Sequence, residues 1–214
     1  MPRWASGPRG QPAYWHEARA ALAAADPAMA GLVARYDGEG LVGQGDPFLT
    51  LARAIVAQQI SVHAADSIWA RLEACVGTVA PPEVAARSQE ELRGVGLTRQ
   101  KASYLRDIAT GFVSGDIDPA RWQKAGDDAV IDDLLALRGV GRWTAEMVLI
   151  FHLQRPDVLP LADIGVRRAM GEHYGEGRAM APEAIEAFAE CWRPWRSVAV
   201  WHLWRSLDPL PVAY

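Results

Sequence analysis

Helix-start signals recur along almost the whole of this chain and leave little room for strands. Asp26-Pro27 and Asp46-Pro47 each set a side-chain acceptor before a proline. In a first helical turn the missing proline N–H costs nothing, so the pair reads as cap plus first residue. Ser61 stands before VHAADSIWARLEACV, and Pro81-Pro82 opens a short helix. Ser88 with Glu91 three residues on reads as a capping box for a helix running into RGVG. Further helices are expected from about Ala13 to Ala25, through PFLTLARAIVAQQ, RQKASYLRDIATGFV, DDAVIDDLLALR and WTAEMVLIFHL, and finally from about Pro182 to Trp192 and Pro194 to Leu207. Phe48, Leu51, Ala52, Ile55 and Val56 recur at three- and four-residue spacing, as one buried helix face requires. No alternating run is long enough to be a strand, and VGTVAPP is short and proline-bounded. The expected fold class is all-α.

Length and composition bound the rest. The chain has 214 residues, of which 50% are apolar and 22% charged, with a net charge of −4. It can bury a sizeable core, and its bulk is not disordered. Cys75 and Cys191 are too few for a disulfide scaffold, a four-Cys zinc site or a four-Cys iron–sulfur cluster. They fit a reducing, cytoplasmic compartment. The N-terminus lacks the apolar stretch of a signal peptide, and no apolar run is long enough to span a membrane. The acidic balance argues mildly against a nucleic-acid partner, but a locally basic face can sit on an acidic molecule. Nine Trp is many for this length, and flat rings suit flat ligands as well as cores.

The strongest motif is Leu137-Arg138-Gly139-Val140-Gly141-Arg142-Trp143-Thr144-Ala145, between two helices. Its two glycines permit a tight hairpin and close approach of another backbone or a phosphate. N–H groups at the start of the second helix, with the dipole behind them, would hold an anion without a net positive protein, and Arg138 and Arg142 add charge. The plainer reading is a helix–helix turn with a glycine cap. Gly94 and Gly96, in EELRGVGLTRQKAS, repeat the Leu-x-Gly-Val-Gly pattern and suggest a second hairpin.

Asp163 stands in LPLADIGVRR, where the next helix should start. Its simple role is N-cap, which also favours the ionised carboxylate. Leu159, Leu161 and Ala162 beside it suit a partly dry site. The two roles, cap and catalytic carboxylate, are compatible.

Taken together, AIVAQQISVHAADSIWARL, LRGVGRWTAEMVL, VLPLADIGVRRAM and ECWRPWRSVAVWHLWR resemble the helix–hairpin–helix (HhH-GPD) DNA glycosylase superfamily, in its 3-methyladenine DNA glycosylase II (AlkA-like) branch. The resemblance runs from about Tyr14 to Leu207. It implies a two-lobed all-helical fold with the active-site cleft between lobes and no N-terminal β-rich domain. On this reading residues 1–12 are loose and residues 13–214 form the glycosylase domain. One subdomain, about 45–130, carries the wedge region. The other, about 13–44 with 131–214, carries the hairpin and the catalytic residue.

The resemblance also implies roles. Asp163 matches the catalytic carboxylate. Trp143 and Trp204 match aromatic residues of the base pocket, and Met147 and Ile164 fall at pocket positions where relatives can place Tyr. Arg138, Gly139, Val140, Gly141, Arg142 and Thr144 match the phosphate-gripping hairpin, with Gly94 and Gly96 as candidate further contacts. The residue that fills the gap left by a flipped nucleotide falls at Gln59 or its neighbour Ile60, and Gln58 is a further candidate. The lyase-competent branches carry a Lys where this chain has Trp143, and Trp cannot be a nucleophile. The resemblance therefore implies a monofunctional enzyme that excises alkylated bases such as 3-methyladenine and 7-methylguanine from double-stranded DNA and leaves an abasic site.

Such bases are cationic and leave as neutral molecules, so one ionised carboxylate can suffice, by stabilising charge on the sugar or aligning a water. The faces of Trp143 and Trp204 would attract a cationic base; Trp192, Trp195 and Trp201 are assigned to core or groove. No cofactor and no catalytic metal are expected, since His63, His152, His173 and His202 show no ligand spacing. A monovalent ion at the carbonyls near Gly139 and Gly141 is a candidate. A monomer in a bacterial-type, cytoplasmic, nucleoid-associated setting is expected. The alternatives are a non-catalytic DNA-binding protein that uses its hairpins as clamps, and a glycosylase for other damaged or mispaired bases.

Overall fold

The computed structural model describes residues 9–207, and most of the expected loose segment 1–12 lies outside the described residues. The described chain is helical. Its only extended pairing is the two-residue antiparallel contact of Arg9–Gly10 (β1) with Gly43–Gln44 (β2). Two compact units form, residues 45–148 and residues 9–44 with 149–207. The hairpin and the segment before Gln58 thus lie in the first unit, while Asp163 and Trp204 lie in the second. Among the described residues no helix is long and apolar enough to cross a membrane.

In chain order the helices are α1 (Trp15–Ala25), α2 (Pro27–Arg35), α3 (Pro47–Ala57), α4 (Val62–Val76), α5 (Pro81–Ala85), α6 (Gln89–Gly94), α7 (Arg99–Ser114), α8 (Pro119–Trp122), α9 (Asp127–Leu135), α10 (Arg142–Met147), α11 (Ile164–Tyr174), α12 (Pro182–Phe188) and α13 (Arg196–Leu207). A π-helical turn, Val148–His152, follows α10, and a 3₁₀ turn, Ala189–Trp192, follows α12. The short helix α8 occupies what reads in sequence as a polar loop. It is made by Asp118-Pro119, a third Asp-Pro start whose carboxylate accepts from Ala120 N–H at 3.1 Å.

The caps form as the residue types require. Asp26 Oδ1 accepts from Ala28 and Met29 N–H, Asp46 Oδ1 from Leu49 N–H, and Ser61 Oγ from Ala64 N–H. Ser88 and Glu91 close a full capping box. In the first unit α3 is the buried centre, with Phe48, Leu51, Ala52 and Ile55 wholly covered and Phe48 edge-on to Phe112 of α7. In the second unit Asp26 is buried and fully engaged: its Oδ2 accepts from the Tyr174 hydroxyl at 2.8 Å and from Trp192 Nε1 at 2.9 Å. Trp192 and Trp201 are core residues, and Trp201 meets Trp15 edge to face.

Candidate functional site

The hairpin between α9 and α10 is shaped by Gly139, at φ +86°. A Cβ there would fall 2.2 Å from Tyr104 Cδ2, so the turn needs glycine both for its left-handed backbone and for space against the ring. Gly141 has extended φ and ψ and is the N-cap of α10, with no side chain capping the helix. Val140 and Thr144 are buried.

Arg138 and Arg142, expected beside a phosphate, are both engaged within the first unit. Arg138 Nη1 donates to Asp107 Oδ2 at 3.1 Å and to Ser103 Oγ at 3.3 Å, and its guanidinium lies 5.3 Å from the Tyr104 ring centroid. This exposed pair is worth at most about 1 kcal/mol and gives way readily to another anion. Arg142 Nε donates to Glu146 Oε1 at 3.1 Å. Glu146 is buried, so Arg142 compensates a carboxylate that solvent barely reaches, and it is held more firmly.

The second Leu-x-Gly-Val-Gly copy does not repeat this geometry. There Gly94 ends α6 and Gly96, the second glycine, takes the positive φ, +105°. Thr98 caps the following helix by accepting from Lys101 N–H, a role no side chain takes at α10. The carbonyl of Val95 accepts from Arg71 Nε at 2.7 Å. Sequence likeness therefore yields two turns of different conformation, one leading into a Leu-Thr cap and the other passing directly into helix at Arg142.

Helix α3 ends at Ala57, two residues before the expected end, because Gln59 adopts a left-handed φ of +59°. The Gln58 side chain turns to the hairpin: its Nε2 donates to the Gly139 carbonyl at 3.0 Å and to Thr144 Oγ1 at 3.1 Å. Gln59 and Ile60 are exposed. Lys101, from the first turn of α7, donates through Nζ to the carbonyls of Val56 at 2.8 Å and Gln58 at 2.7 Å. Partial burial lowers its pKa from the ordinary lysine value. As for an ion at the hairpin, the Gly139 carbonyl accepts from Gln58 and the Gly141 carbonyl from Ala145 N–H at 3.0 Å. Each oxygen accepts one hydrogen bond and keeps a second lone pair, and no step is derived through a cation.

In the second unit Asp163 is the N-cap of α11. Its Oδ1 accepts from Val166 N–H at 2.7 Å and from Trp204 Nε1 at 2.8 Å. Trp204, on α13, is buried and stacks on Phe151, with ring centroids 5.7 Å apart and planes 15° apart. One carboxylate oxygen is thereby fixed by a backbone N–H and by an indole whose ring is itself fixed. Gly165 makes this possible: a Cβ there would lie 3.0 Å from both Asp163 Oδ1 and Trp204 Cδ1. Ile164, 80% exposed, borders a groove of about 380 Å³ whose walls include Arg167, Arg168 and Arg178.

Of the expected pocket residues, Trp204 and Ile164 accompany Asp163 in the second unit, while Trp143 and Met147 belong to the first. Met147 is wholly buried and presents no surface, whereas Trp143 is half-buried on the first turn of α10. Sequence reasoning missed Phe151, Gly165, Tyr104 and Lys101. Gly165 was signalled by the Asp-x-Gly spacing, and Lys101 by its place in a helix's first turn, where a cation opposes the dipole. Phe151 lies in an unbroken apolar run that carries no phase.

With this geometry in place, the chain can be set beside known proteins. The model of the HhH-GPD superfamily base excision DNA repair proteins matches residues 52–197, so the chain belongs to that superfamily. DNA-3-methyladenine glycosylase 1 of Schizosaccharomyces pombe is 28% identical over 179 residues, which cover 82% of this chain and 78% of the relative. A solved structure of the 3-methyladenine DNA glycosylase of Schizosaccharomyces pombe in complex with abasic DNA superposes with a TM-score of 0.80 at 27% identity, covering 89% of this chain and 96% of that one. The DNA-3-methyladenine glycosidase of Bacillus halodurans gives 0.72 at 31% identity, covering 88% of each.

Proposed function

We propose that this chain is a monofunctional DNA glycosylase that removes alkylated bases from double-stranded DNA in base excision repair. The observation that carries the reading is Asp163, a helix-capping carboxylate with one oxygen held by Val166 N–H and Trp204 Nε1. Membership of the superfamily and the names of the relatives support it.

The target nucleotide is extruded from the duplex at a cost of a few kcal/mol, lowest where alkylation has weakened the pair. The hairpin's uncapped α10 start takes backbone phosphate, with Arg138 released from Asp107 to join it. The C1′–N bond then breaks, and its electron pair leaves with the base. A cationic alkylpurine departs neutral, so no acid is needed to protonate it. Asp163 stabilises the positive charge that grows on the sugar. Water adds to C1′ and gives up a proton, leaving an abasic site. The residue after Arg142 is Trp143, which has no amine for a Schiff base with the sugar, so the strand stays intact.

The test is base release from methylated duplex DNA by wild type and Asp163→Asn. Free 3-methyladenine or 7-methylguanine from the wild type and at least about a hundredfold less from the variant is expected. The backbone should be cut only after alkali. Equal DNA binding by both proteins with no base released by either would mean a clamp without chemistry.

A further inference from the structure

The chain joining α3 to α4 is four residues long, Gln58 to Ser61, and is built under tension. Gln59 is a non-glycine residue at φ +59°, a conformation costing about 1–3 kcal/mol that persists only where its surroundings enforce it. Two side chains supply that enforcement. Gln58 is tied by its amide to Gly139 and Thr144 of the hairpin. Lys101 sends its ammonium 2.8 Å from the Val56 carbonyl and 2.7 Å from the Gln58 carbonyl, at the negative end of α3. A lysine in the first turn of α7 works against that helix's own dipole, so its placement is explained by α3 rather than by α7. With Gln58 committed inward, the outward tip of the turn is Gln59 and Ile60, and Ile60 is 38% exposed. Ser61 then caps α4, so the tip is pinned on both sides.

We propose that Lys101 is a positioning residue for opening DNA: its grip on the Val56 and Gln58 carbonyls holds the 58–60 turn so that Gln59 and Ile60 occupy the gap left by an extruded nucleotide. This rests on the glycosylase reading above. Lys101 touches neither base nor sugar. It acts through the turn, so its removal raises the cost of extrusion and leaves the bond-breaking step unchanged.

That separation gives the test. Single-turnover release of 7-methylguanine is measured with the full chain on two duplexes, one with the lesion paired to cytosine and one with it opposite an abasic analogue. The unpaired lesion has no base-pair hydrogen bonds to lose, so its extrusion costs less and depends less on a wedge. Lys101→Met is expected to slow release from the paired duplex by about tenfold or more and from the unpaired duplex by less than about threefold. Lys101→Arg, which keeps two donors on a comparable stem, should restore the paired rate. If Lys101→Met does not fold, Lys101→Gln is measured in the same way. An equal loss on both duplexes, or no loss on either, overturns the proposal while the glycosylase reading stands. No release by the wild type from either duplex removes both.

Discussion

Trp204 Nε1 donates to Asp163 Oδ1 at 2.8 Å, across 41 residues of sequence, and so joins the cap of α11 to the body of α13. The carboxylate is aimed by an indole, and the indole is in turn fixed by its stack on Phe151. Trp204 therefore acts first as the orienting partner of the carboxylate, and its burial leaves it little open ring surface.

Trp204→Phe separates these functions. It keeps an aromatic ring against Phe151 and deletes the N–H. A hydrogen bond to a charged group is worth about 1.5–3 kcal/mol, so single-turnover excision should fall by about tenfold or more while DNA affinity holds. Rates on methylated duplex and a binding titration on undamaged duplex check this; an unchanged rate would mean that the Val166 N–H alone orients Asp163.

Gly165→Ala should change stability and activity in opposite senses. Alanine is the better helix former by about 1 kcal/mol, which favours α11. Its Cβ would also stand 3.0 Å from Asp163 Oδ1 and from Trp204 Cδ1, so one of them must move. The expected outcome is a melting temperature that is level or slightly raised, with excision reduced. Thermal unfolding beside the excision assay reads both, and a fully active variant would show that the pair tolerates the shift.

Gly139→Ala should damage the hairpin itself. The left-handed φ and the 2.2 Å approach to Tyr104 act together, for a loss of about 1–3 kcal/mol in stability. Because Gln58 hangs from the Gly139 carbonyl, the 58–60 turn should loosen too. Urea unfolding and DNA titration would both register the change. Gly94→Ala, at a position where an added Cβ meets nothing and φ is not positive, is the control expected to be mild.

Acid should weaken the second unit in a defined window. Burial pushes the pKa of His152 and of His202 down to about 4, and His202 Nδ1 lies 2.8 Å from the Val198 carbonyl. An unfolded histidine titrates near 6.5, so between about pH 6.5 and 4 the unfolded chain binds more protons. Stability is therefore full above that range and is lost as pH falls through it. The urea midpoint should be lower at pH 5 than at pH 7.5, and a flat profile would contradict the assignment.

Much of this protein was legible before any coordinates. Asp-Pro starts, Ser caps and the Ser88–Glu91 box act through the nearest turn of backbone, so helix positions followed from local chemistry. Asp163 stood out for the same reason, as an acceptor before a helix in an apolar setting. The echo of the glycine hairpin misled, because equal letters at five positions, Leu-Arg-Gly-Val-Gly in both copies, do not fix which glycine takes positive φ. That choice depends on what packs behind the turn: Tyr104 against Gly139, Arg71 against Gly96. The ion pair of Arg138 with Asp107 lay beyond a similar limit, since the two are 31 residues apart.

The sequence by itself determined the helical class and the cap residues, Asp163 among them, because those depend on neighbours within a few residues; the role of Asp163 as the candidate carboxylate is what the family resemblance implies. Tertiary structure alone decided which side chains serve them. It set Trp204 and Phe151 behind Asp163, brought Lys101 to the end of α3, and turned Gln58 inward so that Gln59 and Ile60 form the exposed tip. Those contacts join residues tens of positions apart, and no periodicity or cap rule carries information over such a span.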